Sequence, residues 1–411
     1  MRLVKIRIAF SLIIFLLFLV LFLSGEKIAA ALSPFLLSFQ LAPALLKVIS
    51  NPGFLAIAAL IFLLIITMLF GRVYCSFLCP LGALQDFFIA LPRKIGWQQK
   101  HSYQKPLNWL RYSILALTTV TALLGSLILL ILLDPYSLTG RIISHLVEPV
   151  FVWTYNKIIA LPKLFHIYFF FKETAYVPLS LFLLTLAFLL LILFMSLRWG
   201  RLYCNSICPV GTILGLISRF SFFKFDIDET SCSECSSCET VCKAGCIDPE
   251  NKKIDSTRCV GCFNCIASCP QPAINYKPVL FSTTRITWSP QRRGFIIGSA
   301  AAVGAVLFAF HNRIRAAVAS TLPYQKQPVT PPGSVELKRF TQLCSACHLC
   351  VSACPTKVLT PTFWEYGIAG LMQPLMDFDR SFCDYECNTC GQACPTGAIL
   401  PLKLEEKNWL R

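Results

Sequence analysis

Sixteen of the chain's 21 cysteines fall into four tight runs, each spaced to hold an inorganic cluster. The most regular is Cys259-x2-Cys262-x2-Cys265-x3-Cys269-Pro270, and Cys344-x2-Cys347-x2-Cys350-x3-Cys354-Pro355 repeats it. In this spacing three close thiolates wrap one [4Fe–4S] cube, and the fourth ligates the other cube of a pair. Two partner runs depart slightly. Cys232, Cys235, Cys238 and Cys242 are followed by Lys243 where proline is usual. Cys383, Cys387, Cys390 and Cys394 precede Pro395 but carry one extra residue in the first gap. Crossing the runs gives four expected cubes. Cys232, Cys235 and Cys238 join Cys269; Cys259, Cys262 and Cys265 join Cys242. Cys344, Cys347 and Cys350 join Cys394; Cys383, Cys387 and Cys390 join Cys354. Zinc draws four ligands from two pairs and does not use such runs. Cys344-Ser345-Ala346-Cys347-His348 also spells the C-x-x-C-H haem attachment motif, but both cysteines already open a complete run. Cys246 falls where matching runs have Ala273 or Ala398, and it reads as a small core residue.

Four more cysteines lie in an internal repeat. Gly71-Arg72-Val73-Tyr74-Cys75-Ser76-Phe77-Leu78-Cys79-Pro80-Leu81-Gly82 is matched by Gly200-Arg201-Leu202-Tyr203-Cys204-Asn205-Ser206-Ile207-Cys208-Pro209-Val210-Gly211. C-x3-C puts both sulfurs on one face of a helical turn, and the proline ends that turn. Each unit follows an apolar stretch, so the pattern is a duplicated hairpin. Packing about a pseudo-twofold axis would bring Cys75, Cys79, Cys204 and Cys208 together. Three roles stay open for them. They jointly hold a further Fe–S cluster or metal, they act as thiol–disulfide pairs, or they dock against a quinone or the neighbouring cluster domain.

The elements that position these groups are read from composition. Of the 411 residues 55% are hydrophobic and only 14% charged, which points to a bilayer as solvent. Five stretches approach the roughly 17–25 residues a spanning helix needs: Ile8–Gly25, Phe54–Gly71, Tyr112–Leu133, Tyr176–Leu197 and Gly294–Phe310. Lys and Arg cluster at the N-terminus, between Arg72 and Arg111, and after Arg198, so these segments are expected in the cytoplasm. The fifth stretch follows Ser289-Pro290-Gln291-Arg292-Arg293-Gly294-Phe295, similar to a twin-arginine export signal. It should carry the last hundred residues outside, although Arg313 and Arg315 sit on the disfavoured side. The formal charge of +16 does not signal a nucleic-acid partner, because ligand thiolates cancel part of it and many basic residues flank apolar spans.

The expected fold is membrane α-helical: a four-span duplicated-hairpin bundle plus a fifth span, with two ferredoxin-like α+β 2[4Fe–4S] domains. The division is 1–225 for the membrane domain, 226–285 for a cytoplasmic ferredoxin domain and 286–315 for the fifth span. A proline-rich linker then covers 316–333, and an extracytoplasmic ferredoxin domain 334–411. The expected location is a bacterial inner membrane.

In residues 1–280 the chain resembles the NapH/MauN/NosR-type membrane ferredoxins, on Cys75, Cys79, Cys204, Cys208 and the cluster runs. From Arg292 onward it resembles the companion NapG/MauM exported ferredoxins, so the whole reads as a fusion of the two. The resemblance implies quinol oxidation and electron delivery to a periplasmic reductase. The expected partners are membrane lipid, the quinone pool, an extracytoplasmic reductase or cytochrome, and a cytoplasmic electron donor. Two alternatives stand beside this: transfer from a cytoplasmic donor to quinone in a larger redox complex, and an assembly or metal-reductase factor for respiratory enzymes. No Gly-rich nucleotide fingerprint or nucleophile elbow is present. Quinol oxidation releases protons, for which His101, Asp134, His145 and Glu148 are available, each reading more readily as an ordinary loop residue.

Overall fold

The computed structural model describes residues 2–94, 102–160, 171–278 and 328–409. Its first half is helical: α1 (Arg2–Leu23), α2 (Glu26–Ser38), α3 (Leu41–Ser50), α4 (Phe54–Phe70), α5 (Tyr74–Phe77), α6 (Pro80–Lys94), α7 (Asn108–Leu123), α8 (Ile128–Leu133) and α9 (Pro135–Ile142). A π-helical turn, Ile143–Val147, leads into α10 (Glu148–Ala160), followed by α11 (Leu179–Trp199), α12 (Leu202–Ser206) and α13 (Pro209–Ser218).

Among the described residues α1 and α11 are long and apolar enough to cross a membrane. At 1.5 Å per residue, 22 residues reach roughly 33 Å, about the hydrocarbon thickness. The apolar helix α4 is shorter, at 17 residues. The expected span Tyr112–Leu133 is not one helix. It is divided between α7 and α8 at Gly125, whose φ of 85° no continuing helix adopts. Conversely, the stretch read as a connection after the first span forms α2 and α3, bent by 96° as a broken span or re-entrant loop. Gln40 at this bend is buried, donating to the Leu78 carbonyl (3.3 Å) and accepting from Tyr74 Oη (2.8 Å). Those bonds satisfy polar groups that lipid would leave bare. The fifth expected span with its paired arginines, and His101, lie outside the described residues.

Two small α+β units carry the cluster runs. In the first, β1 (Phe223–Ile227) and a hairpin of β2 (Ile247–Asp248) and β3 (Lys253–Ile254) precede β4 (Ile274–Pro278), which pairs antiparallel with β1. In the second, β5 (Leu359–Pro361) pairs antiparallel with β6 (Pro374–Met376). The second unit also takes in the end of the proline-rich stretch: Met376 N donates to Val329 O and Leu400 N to Gly333 O, both 2.9 Å.

The units sit at opposite ends of the long helices. The first docks where α4 and α11 end: Phe222 N donates to Met68 O (2.8 Å), Tyr276 Oη to Phe70 O (3.1 Å) and Arg201 N to Lys243 O (2.7 Å). The second docks where α1 ends and α11 begins. Phe18, Leu21 and Phe22 share a core with Cys347, Leu349, Ala353 and Ala393, and Arg380 stacks on Tyr176 at 3.5 Å.

Candidate electron-transfer site

The local conformation of the runs follows from their spacing. In three of them the residues on both sides of the second cysteine have left-handed backbone: Glu234 and Ser236, Gly261 and Phe263, Ala346 and His348. Two such residues curl the chain so that three thiols face one centre. The run with the extra residue does not do this; Asn388, after Cys387, has φ of −131°.

The thiols line voids in the crossed sets. Cys232, Cys235, Cys238 and Cys269 line one, and Cys242, Cys259, Cys262 and Cys265 a second. Cys383, Cys387, Cys390 and Cys354 line a third. Cys344, Cys347, Cys350 and Cys394 are electrostatic neighbours. Among the described residues no three His, Cys, Asp or Glu side chains close on a single-ion site. Burial pushes the Cys344 and Cys350 thiols well up. Such sulfurs ionise only against nearby positive charge, which cluster iron supplies, so the donor set fits the expected cubes. Cys246 is buried, as expected, but it also lines the second void, with its Sγ 3.7 Å from Cys242 Sγ. Hydrogen bonding from Cys246 draws Cys242 down to about 7.

In the membrane repeat Cys75, Cys79, Cys204 and Cys208 are all buried in one core, and none is in a disulfide. Each repeat's arginine caps the other repeat. Arg72 Nη2 donates to Cys204 O (3.0 Å), and Arg201 Nη1 donates to Cys75 O (2.5 Å). Gly82 and Gly211 are matched in the same way, since a β-carbon on either would collide with the carbonyl of Cys75 or Cys204 respectively. The first ferredoxin unit lies directly on this pair. Ser76 Oγ donates to Val260 O (2.7 Å), Asn205 Nδ2 to Ala244 O (2.9 Å), and Arg72 and Arg111 both donate to Thr257 O (3.0 Å each). Asp86 on α6 joins the parts, pairing with Arg7 (2.5 Å), Arg201 (2.8 Å) and Lys243 (3.2 Å). Burial pushes its carboxyl up, but Arg201, Lys243 and Arg7 outweigh this and hold it well below the usual carboxylate range.

A buried polar seam runs from the repeat towards the second unit. Tyr203 Oη donates to Leu133 O (2.9 Å), Asp134 accepts from Ser137 N and Oγ (2.8 Å each), and Arg141 donates to Ile131 O (2.7 Å). His145 Nε2 lies 2.7 Å from His348 Nδ1, and His348 Nε2 lies 2.6 Å from Met372 O. A carbonyl only accepts, so His348 carries its proton on Nε2 and its Nδ1 accepts from His145. Burial draws His348 down to about 3, which keeps it neutral. Ser352 Oγ and Lys357 Nζ donate to Glu148 (2.6 and 3.0 Å). Asp134, His145 and Glu148 are therefore not ordinary loop residues, as their local sequence suggested; they are buried, and each has hydrogen-bond partners. Asp134 caps α9 through Ser137, three residues on, but the partners of His145 and Glu148 lie up to 203 and 209 residues away, so no local pattern announces those two.

Known proteins resemble this chain in both halves. A profile for a 4Fe-4S binding domain matches residues 52–98 and again 181–227. A 4Fe-4S dicluster domain matches 343–398. The ferredoxin-type protein NapH of Haemophilus influenzae is 30% identical over 187 residues, covering 45% of this chain and 52% of NapH. The methylamine utilization ferredoxin-type protein MauN of Paracoccus denitrificans is 29% identical over 187 residues, covering 45% and 53%. The chain is a homologue of these ferredoxin-type proteins. Its likeness to that group extends to MauM of Paracoccus denitrificans, 33% identical over 110 residues, covering 26% of this chain and 48% of MauM. The chain spans about half the length of these curated relatives. The two segments of the first profile each contain one C-x3-C-P unit, so the repeat seen in the fold is a repeated domain. No solved structure matches the chain.

Proposed function

We propose that this ferredoxin-type protein passes electrons from quinol, or across the bacterial inner membrane from a cytoplasmic donor, to an extracytoplasmic reductase or cytochrome. The observation that carries this reading is the placement of the two ferredoxin units at opposite ends of α1 and α11. Each unit's thiols would hold two [4Fe–4S] cubes in the crossed sets, and the four cysteines of the repeat are placed to hold a further centre beneath the first unit. A cube supplies reversible one-electron storage, tuned by hydrogen bonds, charge and burial. The chain's own residues set the spacing and exclude water: Arg72 and Arg201 lock the repeat, and Tyr203, Asp134 and Arg141 fill the interior between the repeat and Cys347. Cys235 is exposed at the far side of the first unit, which favours that edge as the contact for a cytoplasmic donor.

Chemical analysis is expected to give about sixteen iron per chain from the sixteen run cysteines, and about twenty with a cube at the repeat. A value of about eight overturns the four-cube assignment, and stoichiometric zinc overturns iron ligation altogether. Topology has its own test. A reporter active only outside the cytoplasm should work when fused after Arg411 and fail when fused at Lys277. Equal activity at both junctions overturns the transmembrane route.

A further inference from the structure

A cavity of about 800 Å³ opens between the end of α1, the start of α2, α10 and the second ferredoxin unit. That volume lies within the range of small-molecule sites, roughly 300–1,000 Å³. Its inner wall carries buried Phe22 and Val152, and its rim carries Ile28 and Phe382, which are 43% and 67% exposed. Among the polar groups lining it, Glu148, Ser352 and Lys357 form a hydrogen-bonded cluster. Cys354, Pro355 and Thr356 line both this cavity and the void of Cys383, Cys387 and Cys390. One layer of backbone separates the two.

We propose that this cavity is the quinol site, with Glu148 as the proton acceptor. The inference rests on the electron-transfer reading above and gives it a location. Four observations favour a quinol: apolar walls for the ring, an opening at the end of a membrane helix where an isoprenoid tail remains in lipid, one buried carboxylate, and a cluster void on the other side of Cys354. Quinol oxidation removes two electrons and two protons. Cys354 with Cys383, Cys387 and Cys390 would hold a one-electron [4Fe–4S] acceptor on the other side of that wall, so the two electrons would leave one at a time, the first moving on before the second follows. Each O–H proton passes to the Glu148 carboxylate and then to water at the open rim, and the ring leaves as quinone. Lys357 holds the Glu148 carboxylate in place, and a second bond to Ser352 O (2.8 Å) fixes the lysine itself. Glu148→Gln therefore keeps the shape of the site and loses only the proton acceptor.

The test uses the purified full chain with its clusters and the fluorescent quinol analogue 2-heptyl-4-hydroxyquinoline N-oxide. Binding quenches the probe. Ile28→Trp fills the cavity mouth and is expected to weaken binding at least about tenfold, while Phe62→Trp, exposed on α4 away from the cavity, leaves it unchanged. Glu148→Gln should bind the probe within about threefold of the parent. Its menadiol-driven cluster reduction should slow by about a hundredfold. Photolabelling of the unaltered chain with an azidoquinone needs no variant and should mark 22–28 or 381–382. Labelling elsewhere, or full probe binding by Ile28→Trp with its iron intact, overturns the site while quinol reduction of the parent chain preserves the electron-transfer reading. A parent chain that neither binds the probe nor is reduced by menadiol overturns that reading itself.

Discussion

Replacing Asp86 by asparagine is expected to lower stability by about 3–5 kcal/mol, seen as an earlier unfolding midpoint in a detergent titration. The carboxylate is 14% exposed and faces three cations, Arg7, Arg201 and Lys243, which are 1%, 0% and 9% exposed. Removing it leaves all three buried without their counter-charge, which costs more than the pairs themselves contribute. The sign of the pH dependence follows from its depressed folded-state ionisation. Stability from Asp86 is fully present above the range of an unfolded carboxyl, near 4, and is lost as pH falls below that range. The asparagine variant should lack this acid-side loss. Because Arg201 also caps the Cys75 carbonyl and Lys243 follows Cys242, the variant should loosen the repeat and the first unit together. A change under about 1 kcal/mol would mean that the cations are solvated rather than buried.

Cys75→Ser and Cys204→Ser are each expected to abolish the same spectroscopic feature and remove the same iron, about four atoms if the repeat holds a cube. The four crossed sets should remain. The reason is geometric: each cysteine's carbonyl is held by the other repeat's arginine, so the two halves form one site. Quinol-driven reduction of the first unit should fall by orders of magnitude, since the repeat lies between that unit and the membrane interior. Under the thiol–disulfide alternative the titratable thiol count changes on reduction and the iron does not. Unchanged iron and unchanged reduction in both variants leave only a structural role.

The grouping of the run cysteines around shared voids was legible from the chain alone. The crossed sets follow from runs of about ten residues, and the curl around each second cysteine needs nothing beyond them. The repeated C-x3-C-P unit was equally clear, because Gly71–Gly82 and Gly200–Gly211 match position by position. What escaped was set by distant partners. Gln40 tolerates a bend inside an apolar segment because Tyr74 and Leu78 meet it there, so α2 and α3 read as a connection. Gly125 divides an apolar run that hydropathy cannot tell from a continuous helix. Asp134, His145 and Glu148 carry the polarity of a loop, and only the docking of the second unit and the turn into α9 bury them.

The docking of the second unit on α9 and the π-helical turn also bears on assembly. A β-carbon at Gly140 would collide with the Cys347 carbonyl, so the fit there is backbone against backbone. Beyond its apolar core, the polar bonds across the interface among the described residues include His145 to His348, Ser352 to Ser144, Ser352 and Lys357 to Glu148, Ser33 to Gln392 O and Ser50 to Thr396 O. Between two separate molecules such a surface would fill or empty with dilution. Within one chain the partners are always present one to one, at an effective concentration near the millimolar range. The two halves therefore stay engaged however sparsely the protein is expressed. Their contacts join residues 203 to 359 positions apart, so docking is a late event in maturation, after the last cysteines have been made.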